Sequence, residues 1–108
     1  MANTFKNYAL KSAGTAAANV YAPGAGVQAT VIGMTVSNLT TSPIAANVIL
    51  NTASANLYLV RNATIAPGGA LVPVGGDQKL VIEAGDYLQV NTSVAASADV
   101  VVSALEIT

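Results

Sequence analysis

The sequence predicts an all-β protein: a single antiparallel β-sandwich, immunoglobulin-like or jelly-roll, with seven to nine strands. Three observations carry this. Short apolar runs rich in Val, Ile and Leu recur along the chain, and no helical period lasts beyond two turns. Clusters of Gly, Pro, Asp, Ser and Thr separate the runs at short intervals, the signature of strand, turn and strand. Apolar residues make up 53% of the chain and aromatics only 5%, so the core must be aliphatic. Regularly spaced short strands of this kind close into sandwiches or barrels. At 108 residues the chain is one domain. A chain of this size buries roughly 65% of its unfolded surface, enough for one core.

Residues 69–91 state the pattern most plainly. Apolar runs at 71–74, 80–82 and 87–90 are separated by Gly75-Gly76-Asp77 and Ala84-Gly85-Asp86. Glycine adopts positive φ without steric cost, and aspartate hydrogen-bonds nearby amides, so both triplets read as turns.

Residues 2–12 carry Phe5, Lys6, Tyr8 and Leu10 at a spacing that matches neither helix nor strand cleanly. Two readings stay open: a first edge strand, or an arm that docks on a neighbouring subunit and is ordered by it. The domain division is accordingly residues 1–28 as N-terminal arm and first strand, and 29–108 as sandwich core. Residues 13–28 are rich in Ala and Gly, with a short strand near 19–21 and a loop at 22–26. Gly24-Ala25-Gly26 lacks the Lys and Ser/Thr of a phosphate loop.

Residues 29–38 alternate, with Ile32, Met34 and Val36 on one face and Val31, Gly33, Thr35 and Ser37 on the other. Residues 44–51 place Ile44, Ala46, Val48 and Leu50 inward and Asn47, Ile49 and Asn51 outward. The polar turn at 39–43 makes the two strands read as a hairpin. After a turn at 52–55, residues 56–62 put Leu57 and Leu59 on one face and Tyr58 and Val60 on the other, so the strand reads as covered on both sides. Arg61 is the only arginine. It either caps a carboxylate on a neighbouring strand or anchors an interface. The first reading is preferred, because a lone charge in a polar-poor chain needs a partner. Pro67-Gly68-Gly69 is a turn. Residues 98–107 close the pattern as a central strand, with Val100, Val102 and Ala104 on one face and Val101, Leu105 and Ile107 on the other.

Charge limits the function. Charged residues are 8% of the chain, against about 25% in an ordinary soluble domain, and the net charge is −1. So little surface charge protects poorly against association, which points to a protein that works assembled. Histidine and cysteine are absent, removing the usual general base, thiol nucleophile and soft metal ligands. Asp77 and Asp86 are explained by their turns, and Glu83 and Glu106 by strand ends where charge guards edges. No loop has calcium-binding spacing. The chain is therefore expected not to be an enzyme and to carry no cofactor or metal. Four scattered basic residues leave no nucleic-acid footprint. No apolar run nears the ~18 residues of a membrane span, and Met1–Lys6 does not read as a secretory leader. The sequons at Asn38, Asn62 and Asn91 are explained by the abundance of Asn, Ser and Thr.

The opening Met1-Ala-Asn-Thr-Phe-Lys-Asn7, the strand Ala29-Thr-Val-Ile-Gly-Met-Thr-Val-Ser-Asn38, the run Gly76-Asp-Gln-Lys-Leu-Val-Ile-Glu-Ala-Gly-Asp-Tyr-Leu-Gln-Val90 and the ending Val100-Val-Val-Ser-Ala-Leu-Glu-Ile-Thr108 resemble small virion proteins of tailed bacteriophages, marine ones especially. The resemblance covers most of the chain. It implies a structural role in the particle, assembled in the host cytoplasm with the major capsid protein or other virion proteins as partners. A capsid decoration (cement) protein is the first expectation, its copies forming homotrimers or other homo-oligomers on the outer shell. A tail, neck or fibre subunit, or a host-surface glycan-binding module, is the alternative. Phe5, Lys6, Tyr8, Leu10 and Arg61 are the candidate interface residues.

Overall fold

The structure is a computed structural model that describes residues 3–52, 54–75 and 79–108. The described strands are β1 (Asn3–Ala13), β2 (Ala18–Tyr21), β3 (Gln28–Asn38), β4 (Ile44–Asn51), β5 (Asn56–Ile65), β6 (Ala70–Val74), β7 (Leu80–Ile82), β8 (Tyr87–Thr92) and β9 (Ala98–Ile107). They form two antiparallel sheets. One has the order β1-β9-β3-β6, with β7 also paired to β3, and the other the order β2-β8-β4-β5. The pairs β1 with β9, β2 with β8, β3 with β6 and β7, and β4 with β5 are those of one long hairpin wound round itself. That order is the jelly roll, with β6 and β7 acting as one interrupted strand, and it decides between the two sandwich types.

The core is aliphatic, as the composition required. Val31, Val36, Val48, Leu88, Val90, Val100 and Val102 are sealed between the sheets with Met34 and Ile82. The alternation read for β9 holds: Val100, Val102 and Ala104 point inward, and β9 is central, between β1 and β3. The turn at Ala84-Gly85-Asp86 is also as read. Gly85 sits at φ 94°, Asp86 N–H donates to the Glu83 carbonyl at 3.0 Å, and Glu83 N–H donates to the Asp86 carboxylate. Of the companion turn, Gly76 and Asp77 lie outside the described residues.

Three local readings are corrected. In β3, Val31 is fully buried and Ile32 is not, because a bulge between Val31 and Gly33 shifts the alternation by one residue. Residues 39–43 do not close a hairpin. β3 and β4 lie in different sheets, and the segment arches between them. Asn38 holds this arch from a buried position. Its amide nitrogen donates to the carbonyls of Ser42 (2.8 Å) and Ile65 (3.0 Å), and its oxygen accepts from Thr40 N–H and Oγ1, both at 2.8 Å. The alternation read for β4 holds, and its outward residues Ile49 and Asn51 are nonetheless buried, since neighbouring strands flank β4 on each side. In β5, Leu57 and Tyr58 are exposed, because β5 is the last strand of its sheet and is not covered on both faces.

Candidate interaction surfaces

β1 pairs with β9 along nearly its whole length, from Asn3 with Ile107 to Ala13 with Ala98, and forms one edge of its sheet. Of the two readings of the N-terminal stretch, the chain's own fold uses it as an edge strand. Few β1 side chains are buried: Tyr8 and Leu10 are half-buried and Ala13 is enclosed. Polar groups do much of the remaining work of holding it.

Those groups meet at Glu106. Its place on β9 continues the inward series Val100, Val102 and Ala104, and it is only 8% exposed. The hydroxyls of Tyr8 on β1 and Tyr21 on β2 both donate to Glu106 Oε2, each at 2.6 Å. Lys6 Nζ lies 3.9 Å from Oε1, and the tyrosine rings pack with centroids 4.4 Å apart. One carboxylate thus ties β9 to β1 and, across the sandwich, to β2. The expectation that Glu106 guards a strand end from solvent is corrected: it is an internal acceptor. The Tyr21 hydroxyl, then that of Tyr8, stabilise the charged form and hold the Glu106 carboxyl below its usual range, against the opposing effect of burial. Tyr21 is pushed up, first by burial and then by its bond to the carboxylate, and Tyr8 is raised chiefly by the same carboxylate. A carboxylate held ionised by two phenols that are held neutral has no proton to exchange near neutral pH, so the cluster is a tie between strands. A second polar contact secures the far end of β1, where Lys11 pairs with Asp99 at 3.8 Å and Ser12 N–H donates to Asp99 at 3.0 Å.

The two outer faces of the sandwich differ sharply. On the β2-β8-β4-β5 sheet, amides form a cross-strand ladder: Asn51 donates to Gln89, and Gln89 donates to Asn19, both at 2.9 Å. On the outer face of the β1-β9-β3-β6 sheet, the pairing register sets side chains in rows. Phe5, Leu105, Thr30 and Val81 make one row; Asn7, Ser103 and Gly33 the next; Ala9, Val101 and Thr35 the third, with Val72 beside it. Phe5 is 74% exposed, and Val72, Val81 and Val101 are exposed as well. The middle row is a trough, opening into a depression of about 300 Å³ bounded by Phe5, Ile32 and Ser103. Lys11 and Asp99 stand only at the end of this face.

The five sequence-predicted interface residues therefore do not share one surface. Phe5 and Lys6 border the depression, and Tyr8 and Leu10 turn inward. Arg61 is on the other sheet, with its guanidinium 5.4 Å from the centre of the Tyr58 ring. Its preferred reading, a carboxylate cap, is corrected: among the described residues no Asp or Glu lies within ion-pair distance of its guanidinium. The bulge in β5, with Asn62 at φ 53° donating its N–H to Asn47, sets that edge of the sheet. Among the described residues no three His, Cys, Asp or Glu side chains cluster. A second depression, about 450 Å³, opens beside Glu83 and Ile107. Sequence reasoning missed the Glu106 tie and the exposed Val72 and Val81, although the alternation along β9 carried the signal for Glu106. Compared with known protein families, curated proteins and solved structures, the chain matches none.

Proposed function

We propose that the protein is a structural component of a tailed-bacteriophage virion, and within that class a decoration protein that binds the outer capsid shell and stabilises it. The observation that carries this reading is the outer face of the β1-β9-β3-β6 sheet. A folded domain with 8% charged residues leaves Phe5, Val72, Val81 and Val101 exposed there. A face of that kind marks a site of protein association. The resemblance of the chain to small phage virion proteins supplies the setting. Jelly rolls recur in viral capsid proteins, which agrees with the reading by analogy of fold alone.

A glycan-binding role has less support. Sugar recognition uses exposed aromatic rings beside free polar groups. The amides of the opposite face are largely bonded to one another, and Tyr58 is already engaged by Arg61. The test of the decoration reading is a phage with the gene deleted. Its heads should lose DNA at lower temperature, or at lower chelator concentration, than wild-type heads, and added purified protein should restore them. Heads of unchanged stability would remove the decoration role and favour a tail, neck or fibre position.

A further inference from the structure

We infer that residues 3–10 of β1 are exchanged between two copies of this chain, each copy's segment lying on the other's β9. The surface that receives the segment is visible within one chain. It is the edge of β9 that these same residues cover, from Asn3 with Ile107 to Leu10 with Val100. An exchanged strand makes those contacts again on a second copy.

The joint that follows the segment marks it for exchange. The pairing slips between Leu10 and Ala13, and within the slip Ser12 sits at φ 57°, a left-handed conformation disfavoured for a residue with a Cβ. Beyond the joint the chain is pinned. The Ala13 carbonyl accepts from Ser97 N–H and the Gly14 carbonyl from Thr92 N–H, both at 2.8 Å. A Cβ on Gly14 would come within 3.0 Å of the Ala96 nitrogen. Before the joint little is buried: Tyr8 and Leu10 are half-buried, and the rest of residues 3–10 is exposed. A short strained joint between a pinned segment and a shallowly held terminal strand invites exchange, because opening relaxes the joint at no loss of contacts.

The polar ties transfer with the strand. Lys6 and Tyr8 reach Glu106 on β9, and Tyr8 packs on Tyr21 of β2, so a second copy offers the same partners. Tyr21 stays on Glu106 in either arrangement, and no charge is stranded. The joint also fixes how the copies meet. Ala13 keeps its place opposite Ala98 of its own chain while Leu10 lies opposite Val100 of the second copy, a reach of about 10 Å at about 3.3 Å per residue. The Ala98 ends of the two β9 strands therefore face each other across a two-fold axis. The loop at that end, residues 93–96, is exposed and uncharged. The exchange builds a dimer in place of the expected homotrimer, and it does not depend on the virion reading.

The test uses cysteine, which the chain lacks. Asn7 and Ser103 are direct partners in the β1–β9 register, at a Cα separation that a disulfide spans. The full chain carrying Asn7→Cys and Ser103→Cys, oxidised and run on a denaturing gel without reductant, should give a covalent dimer, and Asn7→Cys alone a monomer. In sedimentation equilibrium wild type should be a dimer. Ser12→Gly, which frees the unexchanged chain of its strained joint, should raise the dissociation constant by at least about tenfold, since two joints are relieved per dimer. Circular dichroism should show every variant folded. A covalent monomer, with each β1 locked on its own β9, would overturn the inference. So would two free thiols, a wild type that sediments as a monomer, or a dimer indifferent to Ser12→Gly.

Discussion

Replacing Glu106 by glutamine keeps the shape of the side chain and removes its charge. In the native protein two phenolic O–H groups converge on Oε2. Both hydroxyls reach the same oxygen, so a glutamine whose carbonyl oxygen takes that place still accepts from both, but as a neutral group, and the ion pair with Lys6 is lost. Hydrogen bonds to a charged group are worth about 1.5–3 kcal/mol each, and a neutral one about 1. Two charged bonds become two neutral ones. Tyr8 is only half-buried and can turn to water, so the lower ends of these ranges apply, and the net loss is about 1 kcal/mol. In a domain of this size that lowers Tm by about 5 °C. Urea and thermal unfolding followed by circular dichroism and tyrosine fluorescence measure it directly. The pH dependence identifies the cause. The Glu106 carboxyl is lowered from its ordinary 4.5 in the folded state, so its stabilisation is present above that value and lost as pH falls through the folded value. The gap between wild type and E106Q should be full at neutral pH and close in acid. A gap below about 0.5 kcal/mol, the scatter of ordinary surface substitutions, or one unchanged down to strong acid, would refute the reasoning.

Other outcomes follow from the same geometry. Tyr21→Phe should cost about 1–2 kcal/mol and Tyr8→Phe about 1, with strong non-additivity when either is combined with E106Q, because all three share one network. Both tyrosines are raised from 10.0, so their stabilisation is complete below that value and is lost as pH climbs past it; alkaline unfolding of Y8F/Y21F should lack that phase. Asn38→Ala removes four hydrogen bonds from the arch between β3 and β4 and should cost about 2–4 kcal/mol in urea unfolding. Gly85→Ala forces an L-residue to φ 94° and should cost about 1–2 kcal/mol, whereas Gly33→Ala, facing open space, should be near neutral.

Much of the fold could be read from residue order because it rests on local rules. Strict alternation separated the two faces of β9, its continuous apolar middle marked a central strand, and the Ala84-Gly85-Asp86 turn announced itself through the one residue suited to φ 94°. The failures have equally local causes. A bulge at Val31–Gly33 inverts the phase of β3, and its one local mark is Gly33, a glycine inside a strand that alternation alone passes over. A polar segment of five residues suits a hairpin and an arch alike; the difference lies in which sheet receives β4, a long-range matter. Glu106 resembles a terminal charge by its position near the end of β9, but parity along the strand decides its face. Counted in twos from Val100, it points into the core, and Tyr8 and Tyr21 were the nearby donors able to satisfy it. The exposed apolar face of the β1-β9-β3-β6 sheet could not be read at all. It assembles side chains from β1, β9, β3 and β7 that are far apart in the chain and meet only through the register of the sheet.

The most direct test of the proposed role is a copy number. Quantitative mass spectrometry of purified particles, with the major capsid protein as internal standard, should find this protein in hundreds of copies, near the number of shell subunits. A few to a few dozen copies would place it at the tail or neck instead, and its absence from particles would contradict the virion reading outright.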